Sequence, residues 1–348
     1  MLFEVTRGGR LAAPLTERGS LPLARVPRRW YKARKRRTWL ARIVTPELEQ
    51  QLRYVRCEPG EDLSRFPDFL IVGPQRTGTT WLHAHLRFHP QVLLSEPKEL
   101  FFFSRIKHRP EGKFQSDSLS WYLQFFRDRW PWWLYKTYFC LRHYGEWYRP
   151  IVKGEATASY AALDGDVIRE IVLLNPAVKV ILMVRDPIER AWSHAKKDLA
   201  RNRGRTWEEV SEHEIEAFFC DPYQLRCAQY TQNIRRWGEA LQPGHLLVGL
   251  FDDIARCPED LLLAVMRFLG VRDDRRYIQP NVASPVNPTA GLRIPAKYRA
   301  MLGELLQDEI VQLEREFGLS WSGPHGATGR SFVYSGGAAP NEPGRATA

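Results

Sequence analysis

Phe69-Leu70-Ile71-Val72-Gly73-Pro74-Gln75-Arg76-Thr77-Gly78-Thr79-Thr80-Trp81 is the stretch on which the fold turns. Four apolar residues between Pro67 and Gly73 predict a short buried strand. A Gly-framed turn follows, and then a helical pattern from Thr79 to about Phe88 that His89-Pro90 ends. A strand, a tight loop and a helix in that order aim backbone N–H groups and the positive end of the helix dipole at an anion. Gly73 and Gly78 have the spacing of a Walker A loop. Thr79 stands where the Walker lysine belongs, and the basic residue, Arg76, lies inside the loop. A kinase or ATPase on this loop would lack its phosphate lysine, so a different phosphorylated donor fits better.

Working outward, short apolar runs alternate with helical patterns. Val92–Leu94, Ile151-Val152, Val178–Val184 and Leu246–Leu250 read as strands. Asp164–Leu174 and Glu259–Leu269 read as helices, the second stopped by Gly270. This alternation predicts an α/β domain with a central, mostly parallel sheet flanked by helices. No repeat of solenoid period is present. The expected organisation is an N-terminal extension over 1–60, a catalytic domain over 61–325, and a disordered tail rich in Gly, Ser, Ala and Pro over 326–348.

The 348 residues suffice for a substantial core. The net charge of +11 is concentrated at one end. Met1–Arg42 carries twelve Lys and Arg against Glu4 and Glu17, so the remaining residues are almost neutral. The basic arm, interleaved with Trp30, Tyr31 and Trp39, is either solvated or held against an anionic surface. Nucleic acid is not the expected partner, and oligomeric state is not legible. No apolar run reaches the roughly 18 residues of a membrane span. No secretory leader is evident, and five cysteines without a CxxC pair suit a reducing compartment, so cytoplasm is expected.

Val180-Ile181-Leu182-Met183-Val184-Arg185-Asp186-Pro187 is a second anion signal. Arg185 ends a strand, where ligands bind in open α/β sheets, and its planar guanidinium suits phosphate. Ser193 follows eight residues later, within the next helix.

The run Pro74–Leu82 resembles the 5′-phosphosulfate loop of the sulfotransferase family, and heparan sulfate sulfotransferases usually carry Lys where Arg76 stands. Arg185 and Ser193 match that family's 3′-phosphate motif. Pro97-Lys98-Glu99-Leu100-Phe101-Phe102-Phe103 is similar to a Lys-Glu-x-x-Phe-Phe segment of the heparan sulfate enzymes. The resemblance implies a P-loop-like nucleotide-binding sulfotransferase fold and 3′-phosphoadenylyl sulfate as donor. It implies that Arg76, Thr77, Gly78, Thr79 and Thr80 cradle the 5′-phosphosulfate, with Trp81 against the adenine. It assigns Arg185 and Ser193 to the 3′-phosphate. Arg76 and Glu99 become the catalytic pair, Glu99 as base, with the flanking phenylalanines desolvating it. A sulfuryl group carries less charge than a phosphoryl group, so no metal is expected.

Cytosolic small-molecule sulfotransferases use a histidine base, and His83, His85 and His108 are the nearby options. His85 and His89 have a spacing that invites zinc, but no HExxH pattern accompanies them. In Lys153-Gly154-Glu155-Ala156-Thr157-Ala158-Ser159-Tyr160, Ala156 replaces the family's lysine, which leaves Glu155 a structural reading. Tyr230 and Trp237 either reach the adenine or belong to the core. No late Lys-Gly-Arg loop is present, and Asn281–Ser284 with Arg293 occupy that region. The aromatic, Arg-rich segment from Trp121 to Trp147 is either an acceptor wall or a lid packed on the core. The expected acceptor is a hydroxyl or amine on a carbohydrate or small molecule. The alternatives are a P-loop phosphotransferase and a non-catalytic anion- or membrane-binding protein driven by the basic arm.

Overall fold

Phe69, Leu70 and Ile71 form β1, and all three are fully buried. They lie in a computed structural model that describes residues 42–284, 286, 292–323 and 326–334. The basic arm lies outside these apart from Arg42. In chain order the elements that matter for the site are β1 (Phe69–Ile71), α1 (Thr79–Leu86), β2 (Val92–Leu94) and α2 (Trp130–Tyr144). There follow β3 (Val152–Ala156), α3 (Gly165–Leu174), β4 (Lys179–Val184) and α4 (Pro187–Ala195). Then come α5 (Tyr230–Ala240), β5 (Leu246–Leu250), α6 (Pro258–Leu269), α7 (Gln307–Phe317), β6 (Ser320–Gly323), β7 (Gly326–Thr328) and β8 (Phe332–Tyr334).

The main sheet has the order β2-β3-β1-β4-β5-β8. Its first five strands are parallel, and β8 closes the edge antiparallel to β5. The expected α/β architecture with a mostly parallel sheet is therefore present. β6 and β7 pair separately as a short antiparallel ribbon.

The two-residue period of the strands builds three layers. Leu70, Val72, Val180, Leu182, Val184, Val248 and Leu250 face one layer, against Val167, Ile168 and Ile171 of α3 and Ile234 and Trp237 of α5. Phe69, Ile71, Ile181, Met183 and Leu247 face the other, against Leu82 and Leu86 of α1 and Leu262, Val265 and Met266 of α6. Strands covered on both sides are largely apolar, which explains the apolar runs of β1, β2 and β5 and of β4 after Lys179, while β3 is the exception that buries Glu155. A third apolar cluster, with Trp192, Phe219, Tyr298 and Leu302, holds α4 against the helices around it.

Two boundaries fall elsewhere than expected. Residues 42–60, anticipated as extension, pack on the body. Val44 is fully buried, and the amides of Arg53, Tyr54 and Val55 donate to the buried Glu170 carboxylate at 2.7, 2.9 and 2.9 Å. At the other end, residues 326–334 of the anticipated tail form β7 and β8. Phe332 stacks on Phe317, and Ser331 Oγ donates to Asp253 at 2.7 Å. In both places a few specific contacts outweigh what composition suggests.

Candidate active site

β1 and β4 are neighbours in register, so the loop after β1 and Arg185 after β4 emerge side by side at the carboxyl edge of the sheet. The two signals meet there. Arg76 Nε donates to Ser193 Oγ at 2.9 Å, and Arg185 Nη1 donates to the Arg76 carbonyl at 3.2 Å. Arg185 also lies over the Phe251 ring at 4.4 Å, and its amide donates to the Tyr230 hydroxyl at 3.4 Å. Asp186 caps α4 by accepting from the amides of Ile188 and Glu189, which fixes the helix that carries Ser193.

The loop backbone is held in a conformation few residues accept. Arg76 has φ 72°, in the left-handed region where a side chain costs roughly 1–2 kcal/mol. Gly78 has φ 94°, and a Cβ there would stand 2.4 Å from Ile254 Cδ1. Gly73 approaches Ala158 so closely that a Cβ would meet its carbonyl at 2.5 Å. The Thr77 hydroxyl, fully buried, donates to the Pro74 carbonyl at 2.6 Å and so braces the turn. α1 begins at Gly78 with no side-chain cap, so no side chain competes for its first-turn amides. Thr79 is buried and Thr80 half-buried on that turn. Trp81 is 3% exposed, and its indole donates to the Val282 carbonyl at 2.9 Å.

Positive charge is crowded here. Burial, then Arg185 and Arg201, lower the Arg76 pKa to about 10. Burial lowers Arg185 too, against the opposing pull of Glu189 and Tyr230. Lys196, on the turn after α4, is lowered by burial and then by Arg185, with Arg76 adding to it. Lys197 is lowered by burial, with Arg76 and Lys98 adding to it and Glu99 opposing. Cations drawn together partly out of water make a region that favours an anion.

Glu99 also has a left-handed backbone, with φ 68°. Its amide donates to the Ala156 carbonyl at 3.0 Å, which anchors it beside the end of β3. Its carboxylate pairs with Lys98 and accepts from the Ala158 amide at 3.4 Å. The carboxylate of Glu99 also acts on both Lys197 and Tyr223, and Gln75 donates to the Tyr223 hydroxyl. The structure thus gathers Arg76, Arg185, Ser193 and Glu99 around one strand edge. The phenylalanines beside Glu99 serve the core: Phe102 stacks on Tyr122, and Phe103 packs edge-on against Tyr122 and Tyr160.

Desolvation acts strongly on Glu155. This carboxyl is fully buried in β3, and burial raises its pKa to about 7 against hydrogen bonds from Thr157, Tyr122 and Tyr160. Thr157 Oγ1 donates to Glu155 at 2.6 Å and accepts from the Leu100 amide at 3.1 Å. Glu155 is thus tied through Thr157 to the residue after Glu99. His83 and His85 are buried in α1, and burial lowers both, His83 to about 4. His89 is buried as well, with Nε2 against the Arg272 carbonyl and Nδ1 accepting from the Gln91 amide. Tyr230 and Trp237 are core residues, both fully buried. Lys197 and Arg201 are not singled out by the sequence motifs. A lysine pair directly after the helix bearing Ser193 was the available signal.

The Sulfotransferase family model matches residues 67–275, which include both loops and Glu99. The chain belongs to the sulfotransferase family. Over 232 residues this sulfotransferase is 26% identical to the bifunctional heparan sulfate N-deacetylase/N-sulfotransferase 2 of Bos taurus, covering 61% of the chain and 23% of that relative. It is 28% identical over 163 residues to the membrane-associated sulfotransferase kil1 of Dictyostelium discoideum, covering 46% of the chain and 30% of the relative. It therefore spans about a quarter of the length of the first of these relatives. A sulfotransferase from Alicyclobacillus acidocaldarius superposes with a TM-score of 0.49 at 23% identity, covering 72% of this chain and 94% of that one.

These relatives overturn the expected cytoplasmic placement, since one of them is a membrane-associated sulfotransferase. Cysteine count and the lack of a long apolar run do not identify a compartment, because a protein can be held at a membrane without spanning it. Among the described residues no helix is long and apolar enough to cross a membrane.

Proposed function

We propose that this sulfotransferase uses 3′-phosphoadenylyl sulfate as donor and sulfates a hydroxyl or amine of a carbohydrate. The observation that carries the reading is the contact of Arg76 with Ser193 and of Arg185 with the Arg76 carbonyl. Two anion-binding segments more than a hundred residues apart thereby share one cradle, as a nucleotide with separate 3′- and 5′-phosphates requires. In this reading the loop residues Arg76, Thr77, Gly78, Thr79 and Thr80 hold the 5′-phosphosulfate. Arg185 and Ser193 hold the 3′-phosphate, and Trp81 supports the adenine from beneath.

Glu99 accepts the acceptor proton as its oxygen or nitrogen attacks sulfur. The S–O bond to the 5′-phosphate breaks, and the leaving phosphate oxygen keeps the electron pair. Arg76 and Lys197 stabilise that developing charge. The Glu99 carboxylate is paired with Lys98, and that contact has to loosen as the proton arrives. Carbohydrate is favoured by the heparan sulfate relatives and by the cleft of about 450 Å³ between Arg87, Phe88, Pro131, Trp132 and Tyr135. Aromatic rings there can stack on sugar faces, and Arg87, paired with Glu96 at 3.0 Å, can receive a sulfate or carboxylate.

The test is calorimetric titration with adenosine 3′,5′-bisphosphate, with ATP plus Mg²⁺ in parallel. Tight, metal-independent binding of the bisphosphate alone is expected. Binding of ATP alone overturns the reading.

A further inference from the structure

The cradle leaves α2 unexplained. This helix runs 15 residues, about 22 Å at 1.5 Å per residue. Lys136, Thr137 and Cys140 face inward. Trp130, Leu134, Tyr138 and Leu141, at i, i+4, i+8 and i+11, form one exposed stripe along the helix beside the buried face. There Trp130 is 72% exposed and Tyr138 68%, with Leu134 and Leu141 also exposed. Helices on the surface of a soluble domain normally turn charge outward, and this one turns tryptophan, tyrosine and leucine.

The charges around this face narrow what can cover it. Arg127, Arg129, Arg142 and His143 flank it, all exposed, and α2 itself contains no Asp or Glu. Of the nearby acids, Glu146 is held by Arg272 and Arg276, Glu96 pairs with Arg87, and Asp128 acts on Lys136 and Tyr148. A second copy of the same face would set arginine against arginine. The arm over Met1–Arg42, with its net positive charge, meets the same repulsion. The surface that accepts both features is anionic and apolar just beneath. Tryptophan and tyrosine settle at the headgroup level of a bilayer, leucine reaches the acyl boundary, and arginine pairs with acidic headgroups.

We propose that the outward face of α2 docks the enzyme on an anionic phospholipid bilayer as a peripheral, in-plane helix. The cleft face with Trp132 and Tyr135 stays free for acceptor. The experiment is co-sedimentation of the full chain with vesicles of phosphatidylcholine alone and of phosphatidylcholine containing roughly a third phosphatidylserine, which gives the vesicle a negative surface potential. Wild type should bind the acidic vesicles, and Trp130→Ser/Leu134→Ser/Tyr138→Ser should bind them at least about tenfold more weakly.

Should that triple variant not fold, as judged by circular dichroism, brominated lipids provide a second reading. They should quench wild-type tryptophan fluorescence, and Trp130→Phe should lessen the quenching. Equal vesicle binding by the folded triple variant would mean that the basic arm carries the attachment, and the proposal fails. It fails equally if wild type ignores acidic vesicles, or if the triple variant loses only heparin binding, which would make the face an acceptor surface.

Discussion

At the carboxyl ends of β1 and β4, charged and polar groups are withdrawn from water and spend their hydrogen bonds on one another. Arg185 serves the Arg76 carbonyl, Arg76 serves Ser193, and Asp186 caps the helix that brings Ser193 in. On the outward face of α2 the arrangement is inverted, with Trp130, Leu134, Tyr138 and Leu141 in solvent. The first region is held by its own hydrogen bonds, and what distinguishes it is the density of positive charge. The second is a smooth apolar strip on a firm helix, and its unresolved quantity is area. Substitutions in the first should therefore be felt in chemistry and affinity, and those in the second in neither.

The largest effect belongs to the proposed base. Glu99→Gln should lower turnover about 10²–10⁴-fold while bisphosphate affinity stays nearly unchanged. Turnover within about twofold of wild type would remove Glu99 from the chemistry and break the contrast at its strongest point. Next comes Arg185→Ala. Loss of charge-assisted bonds to a phosphate should weaken adenosine 3′,5′-bisphosphate roughly 10–100-fold, with adenosine 5′-monophosphate affected far less. Equal weakening of both nucleotides would make Arg185 a brace for the Arg76 loop.

Glu155 sharpens the contrast through pH. Its pKa in the fold is raised to about 7, so between the unfolded value and 7 the folded state holds the extra proton. Its contribution to stability is complete at low pH and is lost as pH rises through that window, with a slope of up to about 1.4 kcal/mol per unit. Glu155→Gln should flatten that part of the profile of thermal midpoint against pH. An unchanged profile would show that the carboxyl is not the group responsible. The smallest effect is expected at α2. Trp130→Ser or Tyr138→Ser should shift unfolding in urea by within about 0.5 kcal/mol. The same experiment on buried Trp237→Ala should show a loss of about 3–5 kcal/mol. A large loss at Trp130 would mean that the exposed face is holding the domain together.

The strands that form the sheet were legible because strands covered on both faces are mostly apolar, as β1, β2, β5 and the part of β4 after Lys179 are. The phosphate loop was legible because Gly73, Arg76 and Gly78 lie within one short segment. Arg185 and Ser193 could be named from the strand end and the helix after it. The helix of α2 was not read as one, since tryptophan, tyrosine and phenylalanine are indifferent helix formers and its apolar residues surround the axis. Residues 326–334 were read as tail, because composition cannot register the pairing of Phe332, Val333 and Tyr334 with β5.

By itself, then, the sequence determined the layered α/β plan and the chemical character of the two loops, since both depend on residues within one helix turn or one strand of each other. Only the tertiary structure decided that Arg76 meets Ser193, that Glu99 shares an environment with Lys197, that the flanking phenylalanines pack into the core, and that α2 turns its tryptophan outward. Each of these depends on which segments the sheet order makes neighbours, and hydrogen bonds and burial across a hundred residues of chain leave no periodic trace in the sequence.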